Sequence, residues 1–241
     1  MDPKAIWLGF WRFFSIWNRY DVSGLDNLRI GRSALLVGYH GRPVAFDMCM
    51  LSVAVHDRLG YLPHGIVHSG FDRSPRARAF FDALGFVTGD GEGLRTVIAR
   101  GEHVITLPGG TREGMRSARH RYRVDWGRRR GYLRLAARHG LPIIPVGASG
   151  VDDAYLGLVD GHQFGRRVGL PPGVPLWLGV GPLGLWPLSP PFPVRMRQII
   201  GEPIMDAVGL DFSDDTAVEA LHERVAGCVQ ALVDRARGRN S

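Results

Sequence analysis

The chain has 241 residues, 45% of them hydrophobic, with 30 Lys plus Arg against 23 Asp plus Glu. This length suits one full α/β core, and no break in composition divides it in two. The positive excess, nearly all of it arginine, suits anionic partners, phosphates first among them. Cys49 and Cys228 fall on apolar helical stripes, as small buried hydrophobes do. With no Cys-x-x-Cys, no His-Glu-x-x-His and no spaced cluster among the nine histidines, neither a metal centre nor a redox centre is predicted.

The N-terminus is dense in apolar and aromatic residues: Ile6, Trp7, Leu8, Phe10, Trp11, Phe13, Phe14, Ile16 and Trp17. It is shorter than the roughly twenty residues a transmembrane helix needs, and it lacks the small-residue cleavage site of a signal peptide. Residues 1–20 are therefore predicted as an amphipathic helix that packs on the protein's own core, lies at a membrane surface, or does both. Beyond it, short apolar strands at 34–38, 65–67, 85–88, 103–107, 143–146 and 195–200 alternate with helices at 43–59, 75–84, 92–100, 128–139 and 215–235. This alternation predicts one α/β domain over 21–241, a mostly parallel central sheet flanked by helices.

The strand at 34–38 opens into Tyr39-His40-Gly41-Arg42-Pro43-Val44-Ala45-Phe46-Asp47. The carboxyl end of a strand is where open α/β sheets place their chemistry, and His40 stands there. Pro43 suits a first helical position. From one turn inside such a helix, Asp47 points back toward His40, and a carboxylate with apolar neighbours needs a partner, so the two are expected to pair. His64 and His68 flank a later strand and read as structural or surface residues.

Two segments depart from plain βα architecture. Residues 112–134 hold nine arginines and only Glu113 and Asp125 as acids. Most of that run reads as a solvated face. Arg112 differs, because Leu107-Pro108-Gly109-Gly110-Thr111-Arg112-Glu113 begins at a strand end, where two glycines suit an anion-binding nest. Residues 170–193 carry eight prolines and no charge, which forbids a continuous helix and predicts packing against the core, a bilayer surface or a lipid chain.

Four blocks in fixed order (Tyr39 to Asp47, Leu107 to Glu113, Trp126-Gly-Arg-Arg-Arg-Gly-Tyr132 and Leu141-Pro-Ile-Ile-Pro-Val-Gly147) resemble the glycerolipid (lysophospholipid) acyltransferase family, nearest its monoacylglycerol/diacylglycerol acyltransferase-like branch. The resemblance implies that His40 is the catalytic base with Asp47 as its acid partner, at a spacing two residues longer than the family's His-(x)4-Asp. It implies that Gly109, Gly110, Thr111, Arg112 and Glu113 bind the acceptor. The implied acceptor is a lysophospholipid or a mono- or diacylglycerol, and Gly109, where the wider family has glutamate, leans toward the neutral glyceride. Acyl-CoA or acyl carrier protein is the implied donor, with no cofactor, no nucleic-acid partner and a monotopic site on the cytoplasmic face of a membrane. Arg73, Arg76 and Arg78 fall near another family block. No Gly-x-Ser-x-Gly elbow is present, and Ser149 in Gly147-Ala148-Ser149-Gly150 lacks its spacing, so direct attack by the acceptor hydroxyl is expected without an acyl-enzyme. A non-catalytic lipid-binding module and a lipid ester hydrolase are the alternatives.

Overall fold

A computed structural model of the chain describes residues 2–29, 31–67, 79, 81–89 and 91–238. Helix α1 (Pro3–Trp17) starts with Asp2 accepting the Lys4 N–H and with Pro3 at its first position. Leu8, Trp11 and Phe14 are buried, and the rings of Trp11 and Phe14 meet Phe46 edge to face at 5.2 and 5.8 Å. Ile6, Phe10, Phe13 and Trp17 recur at helical spacing on the other face and remain exposed. The helix thus carries two apolar faces, and the fold covers only one.

The strands are β1 (Asp21–Ser23), β2 (Leu35–Gly38), β3 (His64–Val67), β4 (Val87–Thr88), β5 (Val104–Thr106), β6 (Ile143–Ser149), β7 (Leu156–Gly157), β8 (Gly179–Gly181), β9 (Gly184–Leu185) and β10 (Arg197–Ile200). Seven form one sheet in the order β1-β10-β6-β2-β5-β3-β4, parallel except where β10 runs antiparallel to β6. Leu35, Leu36 and Val37 in β2, and Ile143 and Ile144 in β6, are essentially inaccessible. Continuous apolar runs of this kind are what a parallel sheet covered on both faces requires. The further α-helices are α2 (Phe46–Leu59), α3 (Glu92–Ala99), α4 (Gly110–Gly114), α5 (Gly131–His139), α6 (Gly161–Arg167) and α7 (Asp215–Ala236), with short 3-10 turns at Leu25–Asn27, Ala118–His120 and Val151–Asp153. The architecture is the α/β fold read from the sequence. None of the described helices is long and apolar enough to cross a membrane.

Several boundaries differ from expectation. Helix α2 begins at Phe46 and not at Pro43, because residues 42–44 form a turn closed by the Ala45 N–H donating to the Gly41 carbonyl, with Ala45 at φ 51°. That left-handed backbone is unfavourable for alanine and blocks an earlier helix start. Helix α5 begins at Gly131, after a turn at 127–128 in which the Arg129 N–H donates to the Trp126 carbonyl. The proline-rich segment 170–193 is not wholly irregular: β8 and β9 join β7 in a small antiparallel sheet. Trp177 anchors that segment in the core while Leu183, Leu185 and Leu188 point outward. Half of the helix expected at 75–84 lies outside the described residues; of the rest, 79 and 81–83 are helical.

One polar cluster ties together the loops that leave the sheet beside His40. Asp152, 1% exposed, accepts hydrogen bonds from the Arg42 N–H at 3.2 Å and Nε at 3.3 Å, from the Tyr122 N–H at 2.6 Å and from the Tyr39 hydroxyl. Arg42 also donates to the Asp152 and Arg116 carbonyls, and Arg116 donates to the Tyr39 hydroxyl. A paired buried charge of this kind is tolerable, whereas removing one partner strands the other. Asp152→Ala is expected to lower the unfolding free energy by about 3–5 kcal/mol, measured by urea titration.

Candidate active site

Strands β2 and β5 are hydrogen-bonded neighbours, with Val37 opposite Thr106, so the loops leaving their carboxyl ends meet. His40 follows β2, and residues 107–114 follow β5. The half-buried His40 donates its backbone N–H to Glu113 Oε2 at 3.0 Å, and its Nδ1 lies 3.0 Å from the Gly41 carbonyl. A carbonyl only accepts, so this partner assigns the proton to Nδ1 and leaves the lone pair on Nε2. Among the described residues Nε2 has no hydrogen bond. Burial lowers the pKa of the ring, with the Gly41 carbonyl pulling the other way, so the free imidazole is the form held near neutral pH. A Cβ on Gly114 would lie 2.6 Å from Nδ1 and Cε1; the glycine makes the seat for the ring.

Asp47 is not the partner of His40. Its carboxyl group is 1% exposed and neither oxygen has a hydrogen bond among the described residues. The late start of α2 places it instead near Tyr20 and Cys49, whose hydroxyl and thiol its charge pushes further up. Burial raises the Asp47 pKa to about 8, opposed by the N–H of Met48 and reinforced by the charge of Asp152. The orienting role expected of this carboxylate falls to the Gly41 carbonyl, which the turn at 41–45 turns back on the ring.

Glu113 was expected to bind substrate, but the structure makes it a strut. It is fully buried, accepting the His40 N–H on one oxygen and the Asp125 N–H, at 2.7 Å, on the other. Burial raises its pKa to about 7. Its carboxyl occupies the space that a Cβ on Gly109 would need, which explains why glycine stands at 109. The nest expected at Gly109 and Gly110 is not formed as such: α4 begins at Gly110, whose N–H donates to the Leu107 carbonyl.

Arg112 faces outward, with Nε and one terminal nitrogen on Asp125 Oδ2 at 3.0 and 2.9 Å. It lines a cleft of about 540 Å³ together with Arg116, Arg123, Arg129, Arg166 and His162; Asp125 and Asp160 are its acids. Thr111 borders this cleft through its hydroxyl, 3.2 Å from His162 Nε2. Arg129 donates to the Gly109 carbonyl at 2.5 Å. The far wall is α6, fixed by the Gly161 N–H donating to Met115 O at 2.6 Å. Arg123 belongs to the run that reads as a solvated face in the sequence, while the i, i+4 spacing of His162 and Arg166 on a short helix is the sequence signal of one basic face.

His64 is structural, bridging the Gly85 carbonyl and Glu102 at 2.5 and 2.7 Å. Ser149 is also occupied, donating to the Ala236 carbonyl at 2.9 Å. His68, Arg73, Arg76 and Arg78 lie outside the described residues.

Comparison with known proteins gives these features a context. Residues 19–149 match the family model described as Acyltransferase. An uncharacterised protein of Mycobacterium tuberculosis is 32% identical over 233 residues, covering 92% of this chain and 63% of the relative. The human DGAT1/2-independent enzyme synthesizing storage lipids is 25% identical over 225 residues, with 92% and 63% covered. The chain therefore spans about 63% of the length of these curated relatives. In fold, it is similar to the crystal structure of the 1-acyl-sn-glycerophosphate (LPA) acyltransferase PlsC from Thermotoga maritima, with TM-score 0.57, 19% identity, and coverage of 98% of this chain and 80% of that one.

Two of the buried acids, Asp47 and Glu113, give a pH signature. Asp47 has a folded pKa of about 8 against an ordinary 3.8, and Glu113 about 7 against 4.5. Between those values the folded state holds a proton that the unfolded chain has released, so each carboxyl erodes stability as pH rises through the interval. Histidines lowered by burial act oppositely and only below their ordinary range. The stability of Asp47→Asn relative to wild type is expected to grow by up to about 1.4 kcal/mol per pH unit between about pH 5 and 7, in urea melts at matched pH.

Proposed function

Because the chain belongs to the acyltransferase family, we propose that it transfers a fatty acyl group from a thioester, acyl-CoA or acyl carrier protein, to a hydroxyl of a glycerolipid acceptor. His40 is the base. Its Nε2 takes the proton of the attacking hydroxyl, the oxygen adds to the thioester carbonyl, and collapse of the tetrahedral intermediate expels the thiolate, which recovers the proton from the imidazolium. The Nδ1–H held by Gly41 keeps Nε2 as the acceptor and stabilises the charged ring. No serine nucleophile is used; the engagement of Ser149 with Ala236 supports direct attack.

The observation that carries this reading is the frame linking the base to the basic cleft. Glu113 holds the N–H groups of His40 and Asp125, and Asp125 holds Arg112. Fixing base and head-group site to one buried carboxyl supplies the orientation that acyl transfer needs. Arginine forks match phosphate oxygens, so the cleft favours a phosphorylated acceptor over the neutral glyceride to which Gly109 had pointed. The exposed stripe of α1 suits a peripheral, monotopic position on the cytoplasmic membrane face, where such acceptors reside.

His40→Ala is expected to lose about 100- to 10,000-fold in rate, measured by thiol release from an acyl thioester over phosphorylated and neutral acceptors. Arg112→Ala and Arg166→Ala should each raise KM for the phosphorylated acceptors by about tenfold or more and leave a neutral acceptor unaffected. Full activity of His40→Ala on every acceptor would remove the proposal.

A further inference from the structure

A second basic hollow, of about 330 Å³, lies on the other side of residues 121–123 from the head-group cleft. Arg121 lines this hollow and Arg123 lines the cleft, with buried Tyr122 between them. Arg195, Arg197 and Arg237 complete its cationic wall, and Asp153 is the acid among its lining residues. Three of the four arginines are steadied by neighbours: Arg121 by Asp153 at 3.0 Å, Arg237 by Asp234 at 3.7 Å and over the Tyr122 ring at 4.3 Å, and Arg195 by Asp21 at 3.9 Å. Arg197 has no ion pair among the described residues. The hollow is separate from the chemistry of His40, since the Asp152 cluster fills the space behind Tyr122.

Its position relative to α1 indicates the occupant. Val194 lines the hollow and also accepts a hydrogen bond from Asn18, the residue that ends α1, at 3.1 Å. Trp17 donates to the Pro191 carbonyl at 3.0 Å and Arg19 to the Pro193 carbonyl at 3.0 Å. The exposed stripe of Ile6, Phe10, Phe13 and Trp17 therefore ends on the chain segment that enters the arginine wall. An apolar face leading into a cluster of arginines is the arrangement that engages acyl chains and anionic head groups together.

We infer that the hollow formed by Arg121, Arg195, Arg197 and Arg237 holds the phosphate of an anionic phospholipid of the supporting membrane, one that is not consumed in the reaction. This rests on the reading of α1 as a membrane-surface helix. The lipid binds where α1 docks, so it orients the His40 cleft toward the bilayer and makes attachment depend on lipid charge.

The test is flotation of the full chain with phosphatidylcholine vesicles and with vesicles of equal parts phosphatidylcholine and phosphatidylglycerol. Wild type should bind both, the anionic vesicles more tightly. Arg195→Gln/Arg197→Gln should keep binding to neutral vesicles and lose about fivefold per arginine on anionic ones, with Arg195→Lys/Arg197→Lys retaining most of it. The charge-matched control Arg58→Gln/Arg224→Gln, at exposed sites outside the hollow, should behave as wild type. An equal loss in that control, or none in the Arg195/Arg197 variant, overturns the assignment. So does an Arg195/Arg197-dependent gain in Tm with inorganic phosphate as large as with anionic vesicles, which would make the hollow a free-phosphate site. Anionic binding without neutral binding would refute the α1 reading alone and leave the hollow standing; no binding to either vesicle would refute both.

Discussion

The fold depends, where the chain leaves the sheet beside His40, on one fully buried charge pair, Arg42 with Asp152. Each charge would be expensive alone in that interior, and neither has water to fall back on. The cost is met by saturation: the carboxylate collects the backbone and guanidinium of Arg42, the hydroxyl of Tyr39 and the amide of Tyr122. With Asp152 itself, these groups come from three separate stretches of chain. Satisfying one carboxylate therefore sets the exit of β2, the loop at 116–123 and the turn after β6 in one mutual geometry. His40 lies between two residues of this cluster, Tyr39 and Arg42, and has little freedom to move without breaking it.

Around that anchor, three carboxyl groups serve different ends because their surroundings differ. Asp152 is paired and saturated. Glu113 accepts two backbone N–H groups and joins the histidine loop to the basic cleft, with its pKa raised by burial to about 7. Asp47 is buried with no hydrogen-bond partner among the described residues, which makes its neutral form the favoured one. The imidazole takes its orientation from the Gly41 carbonyl, a neutral acceptor that holds Nδ1–H without adding charge to an already acidic interior. The arginines outside the core are left to attract anions from two sides of the same loop.

Much of the architecture was legible because it rests on local pattern. Apolar runs too short for helices marked the strands β2, β3, β5 and β6, and helical stripes marked α3 and α7. The three-residue β1 and the two-residue strands of the small sheet were invisible, since so few residues carry no period, and pairing with a neighbour is what makes them strands. The start of α2 departs from its local pattern for a related reason. Pro43 suits a helix start by its own φ, but closing the turn on the Gly41 carbonyl delays the helix by three residues. That delay is also what separates Asp47 from His40.

The sequence by itself determined the fold class, the family, the position of His40 at a strand end and the abundance of arginine between 112 and 134, all of which follow from residue type and spacing along the chain. Only the tertiary structure decided which groups meet. It exchanged Asp47 for the Gly41 carbonyl, turned Glu113 from a ligand-binding residue into a buried strut, and brought Arg166 and His162 across to face Arg112. Hydrogen bonds act over about 3 Å and buried charges accept no substitute for their partners. Roles of this kind are therefore settled by which loops the core presses together, and sequence spacing alone does not report that.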